Sequence, residues 1–247
     1  MSKDQNRDYD RTQLREKSHG QNLHRDYSAH FFRWSFAARY IKPSSNVLEV
    51  GCGQDKPLSK ILLLGQFRGC ATYVGVDLNK IGDDHKRDTH FIGQFNFVER
   101  YAELAQYCAA GYDNVVSFEV IEHMRRDLGI KFLANIFDLL KSGGQLLLST
   151  PAYDGKRMAK NHIHEWTIPE LNTAITEVGF KVVKRFGTFM DIRHIGRVPF
   201  DNAELEKAIP IVHSALAEYY DNDAVSNIFG PLYPDHARNN LWICEKP

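Results

Sequence analysis

The four cysteines, Cys52, Cys70, Cys108 and Cys244, show no metal-type pairing and no dense spacing. They argue against a disulfide framework and for a reducing compartment. Net charge is missing as well. Thirty-one basic and 31 acidic side chains leave a formal charge of +0, so no overall positive field gathers nucleic acid, although a local basic patch stays open. Long hydrophobic runs are equally scarce. The longest, such as Ile61 to Leu64, are far too short to span a bilayer, and the first twenty residues are too polar for a secretory signal. Together these absences predict a soluble, cytoplasmic protein with no membrane partner.

With 247 residues, 43% of them hydrophobic and 25% charged, the chain has enough material for one α/β domain with additions. Its organising stretch is Asn46 to Asp55, Asn-Val-Leu-Glu-Val-Gly-Cys-Gly-Gln-Asp. Val47, Leu48 and Val50 suit a strand covered on both faces, and Gly51 and Gly53 allow a sharp turn that a ligand can approach. Pro57 suits the first turn of a following helix. Strand, glycine turn and helix start together form a crevice at the carboxyl end of a parallel sheet, where open α/β sheets bind ligands. A dinucleotide fingerprint, Gly-x-Gly-x-x-Gly, needs a third glycine where this chain has Lys56. That loss argues against NAD and for a ligand without a pyrophosphate.

Around this stretch the pattern predicts further elements. Residues 1–45 read as a charged arm followed by a helix capped by Asp26, with Tyr27, Phe31, Trp34, Ala38 and Ile41 facing inward. His24, Arg25, His30 and Arg33 on this segment are candidates to reach a substrate. Residues 46–247 read as the main domain. Ala71 to Leu78 predicts a second strand ending at Asp77, about twenty residues past the glycines, where an acid can accept bonds from both ribose hydroxyls. His90 to Phe97 predicts a third strand, and Phe97 to Ala110 a helix closed by Gly111. Asp113 to Val120 predicts a fourth strand, and Leu128 to Leu140 a helix. A turn at Lys141 to Gly144 leads to the strand Gln145 to Thr150. Pro169 to Val178 should be helical, and Lys181 to Phe186 and Asn240 to Cys244 should be the last two strands. Between these strands, an aromatic-rich insertion at 190–236 divides into helices Asp201 to Ile209 and Ile211 to Tyr220, with Pro210 marking a break. It is a candidate substrate-covering cap.

Two motifs carry a resemblance. Glu49 followed by Gly-Cys-Gly resembles the first motif of class I S-adenosylmethionine-dependent methyltransferases, and Glu119-Val-Ile-Glu-His123 resembles the end of their fourth strand, beside the transferring methyl group. The Lys-Ser-Gly-Gly turn at 141–144 is similar to a Lys-Pro-Gly-Gly pattern in that family. The resemblance covers roughly Val47 to Val183 and the final strand. It implies a Rossmann-like, seven-stranded, mostly parallel sheet with helices on both faces, extended by the N-terminal helix and the insertion, and with the last two strands paired antiparallel. It also implies S-adenosyl-L-methionine as cofactor, held by Glu49, Gly51, Cys52, Gly53, Asp77, Leu78, Gln94, Phe95 and Glu119.

Methyl transfer chiefly requires alignment of the nucleophile, because the sulfonium is already a reactive leaving group; a base is needed only where the nucleophile must lose a proton. His123, His162 and His164 are the candidates. The expected acceptor is an oxygen or nitrogen of a small molecule or nucleotide. One alternative rests on Glu119, Glu122, His123 and His162, two carboxylates and two imidazoles suited to a divalent metal. This set, with His162 three residues before Glu-Trp-Thr, is similar to the small-RNA 3′-terminal 2′-O-methyltransferases, so RNA is a possible partner. A non-catalytic binding protein on the same fold is the other alternative.

Overall fold

The structure, a computed structural model, describes residue 9 and residues 27–64, 70–82, 88–156, 158–190, 202–220 and 222–247. Seven strands form one sheet: β1 (Asn46–Val50), β2 (Thr72–Val76), β3 (Thr89–Ile92), β4 (Tyr112–Phe118), β5 (Leu140–Pro151), β6 (Lys181–Phe189) and β7 (Asn239–Glu245). Their spatial order is β3-β2-β1-β4-β5-β7-β6. The pairs from β3 through β5 are parallel, whereas β7 runs antiparallel to both β5 and β6. The chain order reverses direction between β1 and β4, so the crevice beyond their carboxyl ends is where such a sheet binds ligands.

Alternation along the strands separates two cores. Leu48, Val74, Val115, Leu146 and Leu148 face one side, and Val47, Tyr73, Val116 and Leu147 face the other. The first side is covered by α4 (Arg126–Leu139) and α5 (Ile168–Val178), through Phe132, Leu133, Ile136, Leu171 and Ile175. The second side is covered by α1 (Tyr27–Tyr40) and α2 (Pro57–Leu64), through Ala37, Ala38, Leu58 and Leu62. Thr167 caps α5 by accepting the Glu170 N–H, and Gly179 ends it at φ 112°, a left-handed conformation that glycine adopts without steric cost. Among the described residues, no helix is long and apolar enough to cross a membrane.

The α1 helix keeps part of the expected stripe: Ala38 and Ile41 are buried, but Phe31 is 51% exposed, and Ala29, Arg33 and Ala37 are buried as well. Small alanines let the helix lie close to its neighbours, and Phe36 packs edge-on against Phe186 with centroids 4.9 Å apart. Asp26, His24 and Arg25 lie outside the described residues. So does nearly all of the charged arm, although Tyr9 forms a lone antiparallel bridge with Met124.

The expected helix from Phe97 to Ala110 is broken. It consists of α3 (Phe97–Arg100) and a 3-10 segment, Tyr101–Gln106. There the Leu104 carbonyl accepts the Tyr112 hydroxyl and the Tyr107 N–H, which tightens the last turn. Within the insertion, Pro210 does not end a helix but lies inside α6 (Ala203–Ala217). Ile209 and His213 are buried on either side of it, and this packing holds the helix together despite the lost N–H. A further helix, α7 (Asn222–Phe229), contributes Val225 and Phe229 to a small separate core with Met190 and Ile209. The Lys141–Gly144 turn is an irregularity inside β5, where pairing with β4 jumps from Tyr112↔Leu140 to Asn114↔Gln145.

Candidate active site

The turn after β1 is built mainly from backbone. Gly51 and Gly53 have φ of 86° and 68°, both in the left-handed region. The N–H groups of Gly51 and Cys52 donate to the Val76 carbonyl at 2.8 and 3.2 Å. Asp77, just beyond β2, accepts the Gly53 N–H on Oδ2 at 2.9 Å and the Asn79 N–H on Oδ1 at 2.8 Å. The acid expected to hold a ribose therefore also ties the glycine turn to the neighbouring strand. A Cβ on Gly51 would stand 2.3 Å from Val120 Cγ2, whereas one on Gly53 would meet open space.

Glu49 lies beneath this turn. It accepts a hydrogen bond from the buried Tyr73 hydroxyl, and burial pushes its carboxyl up to about 8, against the Tyr73 bond and with added repulsion from Asp77. Cys52 is buried, and burial followed by the negative charges of Glu49 and Asp77 pushes its thiol well above the ordinary range. On the adjoining loops Leu78 is half-buried and Gln94 is exposed. Gln94, with φ of 51°, is held by its N–H to the Asn79 carbonyl at 2.9 Å. The Phe95 ring is 2% exposed and packs in the main core under the Arg100 guanidinium.

Beyond β4 the site is built from side chains. Glu119 has φ of 57°, a strained conformation for a residue with a side chain. Ser149 Oγ donates to its Oε1 at 2.7 Å, and Asn239 Nδ2 donates to its Oε2 at 2.8 Å. Arg33 Nη2 stands 3.9 Å from Oε1. Burial alone would raise the Glu119 carboxyl, but Arg33, His30 and these two hydrogen bonds hold it below its usual range.

A single 3-10 turn, Ile121–His123, then folds back toward the segment before α5. The N–H groups of Ile163 and His164 donate to the Glu122 carbonyl at 2.9 and 3.1 Å. This brings the His123 and His162 rings together edge-on, with centroids 5.0 Å apart. His123 Nδ1 is 2.9 Å from the Asn161 carbonyl, and His162 Nδ1 is 2.5 Å from Glu165 Oε1. In the neutral form of each ring these contacts put the proton on Nδ1 and the lone pair on Nε2. Glu122 is fully buried; Thr150 donates to its Oε2 at 3.0 Å, and its Oε1 has no hydrogen-bond partner among the described residues. Burial, reinforced by the nearby Glu119 charge, pushes the Glu122 carboxyl up to about 8.

Donor atoms of Glu122, His123 and His162 all lie within 4.8 Å of one another, a group able to hold a metal ion. Glu119 is not in this group, and its oxygens are engaged by Ser149 and Asn239 with Arg33 nearby, so the anticipated four-residue set reduces to three. His164 also turns away. Its Nε2 meets Glu170 at 3.1 Å, and its ring packs edge-on to Trp166. Sequence reasoning singled out Arg33 but missed Ser149, Thr150, Thr188, Glu165 and Asn239. Only Thr150, at the end of a parallel strand, and Glu165, three residues after His162, carried a local signal.

A family model described as "Methyltransferase domain" matches residues 23–185, well over half of the chain. The chain belongs to the S-adenosylmethionine-dependent methyltransferase family. A probable S-adenosylmethionine-dependent methyltransferase of Mycolicibacterium smegmatis is 29% identical over 66% of this chain and 65% of its own length. A tRNA U34 carboxymethyltransferase of Shewanella baltica is 27% identical over 83% of this chain and 63% of its own length. The chain thus spans less than two thirds of either relative. The solved Burkholderia thailandensis 1,6-didemethyltoxoflavin-N1-methyltransferase, with 1,6-didemethyltoxoflavin and S-adenosylhomocysteine bound, shares the fold. Its TM-score is 0.55 at 15% identity, covering 89% of this chain and 78% of the other.

Proposed function

We propose that this methyltransferase transfers the methyl group of S-adenosylmethionine to an oxygen or nitrogen of a small molecule or nucleotide, with His162 as general base. The observation that carries the reading is the His162–Glu165 pair. The carboxylate fixes the Nδ1 proton, orients the ring and stabilises the imidazolium that forms when Nε2 takes a proton from the acceptor. In this reading the cofactor's amino-acid half lies over Gly51, Cys52 and Gly53. Asp77 uses its remaining lone pairs for the ribose, and Leu78 and Gln94 flank the base. The rest of catalysis is positioning, which can supply several kcal/mol when the reacting atoms are held about 3 Å apart and in line.

A small acceptor is favoured by the formal net charge of +0 and by the burial of the polar groups at the strand ends: Arg33 is 2% and Glu122 0% exposed. The relatives divide on this point, one named for tRNA and one for a small heterocycle. The test is to supply methyl-labelled S-adenosylmethionine together with fractionated cell extract. Label in the small-molecule fraction is expected, and label confined to tRNA overturns the reading.

A second reading gives Glu122, His123 and His162 a divalent cation. It is supported by their mutual approach, by the unpaired Glu122 Oε1, and by the contacts that orient both imidazoles, as metal-bound histidines usually require. Calorimetric titration with zinc or manganese should then give a one-to-one complex that weakens in His123→Ala. No binding to the folded protein would remove it.

A further inference from the structure

Arg33 lowers the Glu119 carboxyl but is given no ligand above, yet it is one of the most deeply buried large side chains among the described residues, at 2% exposure. A buried guanidinium is costly unless its N–H groups are satisfied. Here Nη1 reaches Thr188 Oγ1 at a long 3.5 Å, while Nε and Nη2 find no hydrogen-bond partner among the described residues. Those two nitrogens are not a random pair. Nε–H and one N–H of Nη2 project in parallel from a single edge of the planar group, the edge that takes both oxygens of a carboxylate at once.

The nearest acid does not close that fork. Glu119 Oε1 is 3.9 Å from Nη2, beyond hydrogen-bonding reach, and both Glu119 oxygens already accept bonds from Ser149 and Asn239. The rest of the chamber is neutral and committed. Thr188 donates its hydroxyl to Asn239 Oδ1 at 2.7 Å, and Asn239 donates its amide to Glu119. Within this group of side chains, the buried, unpaired edge of Arg33 remains the strong donor pair.

Its position fixes the neighbourhood. Glu119 directly precedes Val120, the side chain that a Cβ on Gly51 would strike. The fork therefore lies beyond the carboxyl end of β4, toward Thr188 of β6 and Asn239 of β7, at the same end of the sheet as the glycine turn.

We propose that the Nε–Nη2 edge of Arg33 binds a carboxylate at the transfer site. The inference rests on the methyltransferase reading above and adds a ligand contact to it. Two carboxylates can supply this chemistry: the amino-acid carboxylate of S-adenosylmethionine itself, or one on the methyl acceptor.

The test uses the full chain and three probes. S-adenosylhomocysteine carries the amino-acid carboxylate, methylthioadenosine lacks it, and trifluoroacetate, followed by fluorine NMR in protein saturated with S-adenosylhomocysteine, reports a separate carboxylate site. Arg33→Met and Arg33→Lys are compared with wild type, with thermal melts to confirm folding; the lysine keeps the charge and loses the fork. If the cofactor supplies the carboxylate, both variants lose at least about tenfold in affinity for S-adenosylhomocysteine and little for methylthioadenosine. If the acceptor supplies it, S-adenosylhomocysteine binding holds and the trifluoroacetate signal is lost. Folded variants that bind all three probes as wild type does would overturn the proposal while leaving the methyltransferase reading intact. Wild type that binds no S-adenosylhomocysteine would instead remove that reading.

Discussion

The two ends of the crevice are made of different materials. At the proposed cofactor end, the turn after β1 is shaped by main-chain groups: two left-handed glycines, two amides on the Val76 carbonyl, and two more on Asp77. Beyond β4, at the proposed transfer end, the geometry is set by side chains drawn from distant segments: Arg33, Glu119, Ser149, His162, Thr188 and Asn239. Backbone geometry tolerates change in most side chains and fails abruptly when a glycine is lost. Side-chain geometry can be altered one group at a time without disturbing the sheet. The difference teaches that one end can stay constant in what it binds while the other is retuned for a new acceptor.

His162→Gln should separate the ends most sharply. Removing the base is expected to slow transfer to a hydroxyl acceptor by about 100- to 10,000-fold while leaving S-adenosylhomocysteine affinity within about twofold. Steady-state kinetics and calorimetry on the same preparation give both numbers. An equal loss in binding and turnover would erase the distinction between the ends. Gly51→Ala attacks the other end. The left-handed φ costs an alanine about 1–2 kcal/mol, and the clash with Val120 adds about 1–3 kcal/mol of overpacking. Urea unfolding should show a loss of about 2–5 kcal/mol, with weakened S-adenosylhomocysteine binding. A variant as stable as wild type would mean that the turn relaxes freely and that its shape is not what defines this end.

The same difference explains what could be read from the chain. The glycine turn, Asp77 and the adjacent parallel strands were legible because each depends on residues within one βαβ unit, where spacing and conformation are linked. The Glu119–His123 motif was legible as a segment, but its partners were not. Nothing local announces that Asn239, 120 positions away, will bind Glu119, or that Thr188 will meet Arg33. The α1 helix formed as expected and kept Ala38 and Ile41 buried, but its inward face differs at Phe31 for a related reason. Its apolar residues fit a stripe through Phe31, but packing against α2 and β6 favoured the face carrying alanines and Arg33. Pro210 shows the reverse case, in which burial of Ile209 and His213 overrides a strong local signal.

The smallest effect expected comes from Glu49, under the backbone-built end. Burial raises its carboxyl in the folded chain from 4.5 to about 8. Between these values the folded state holds a proton that the unfolded chain has released. Its contribution to stability is therefore complete below about pH 4.5 and is lost as pH rises through about 8. Glu122 acts in the same direction, so replacing Glu49 alone removes only part of the slope. Glu119, held low, acts only in acid and leaves this window undisturbed. Glu49→Gln keeps a neutral acceptor for the Tyr73 hydroxyl and cannot ionise, so its melting temperature should fall less between about pH 5 and pH 8 than that of wild type. Parallel slopes in the two proteins would show that Glu49 is charged when folded, and would make the cofactor end as dependent on side-chain electrostatics as the transfer end.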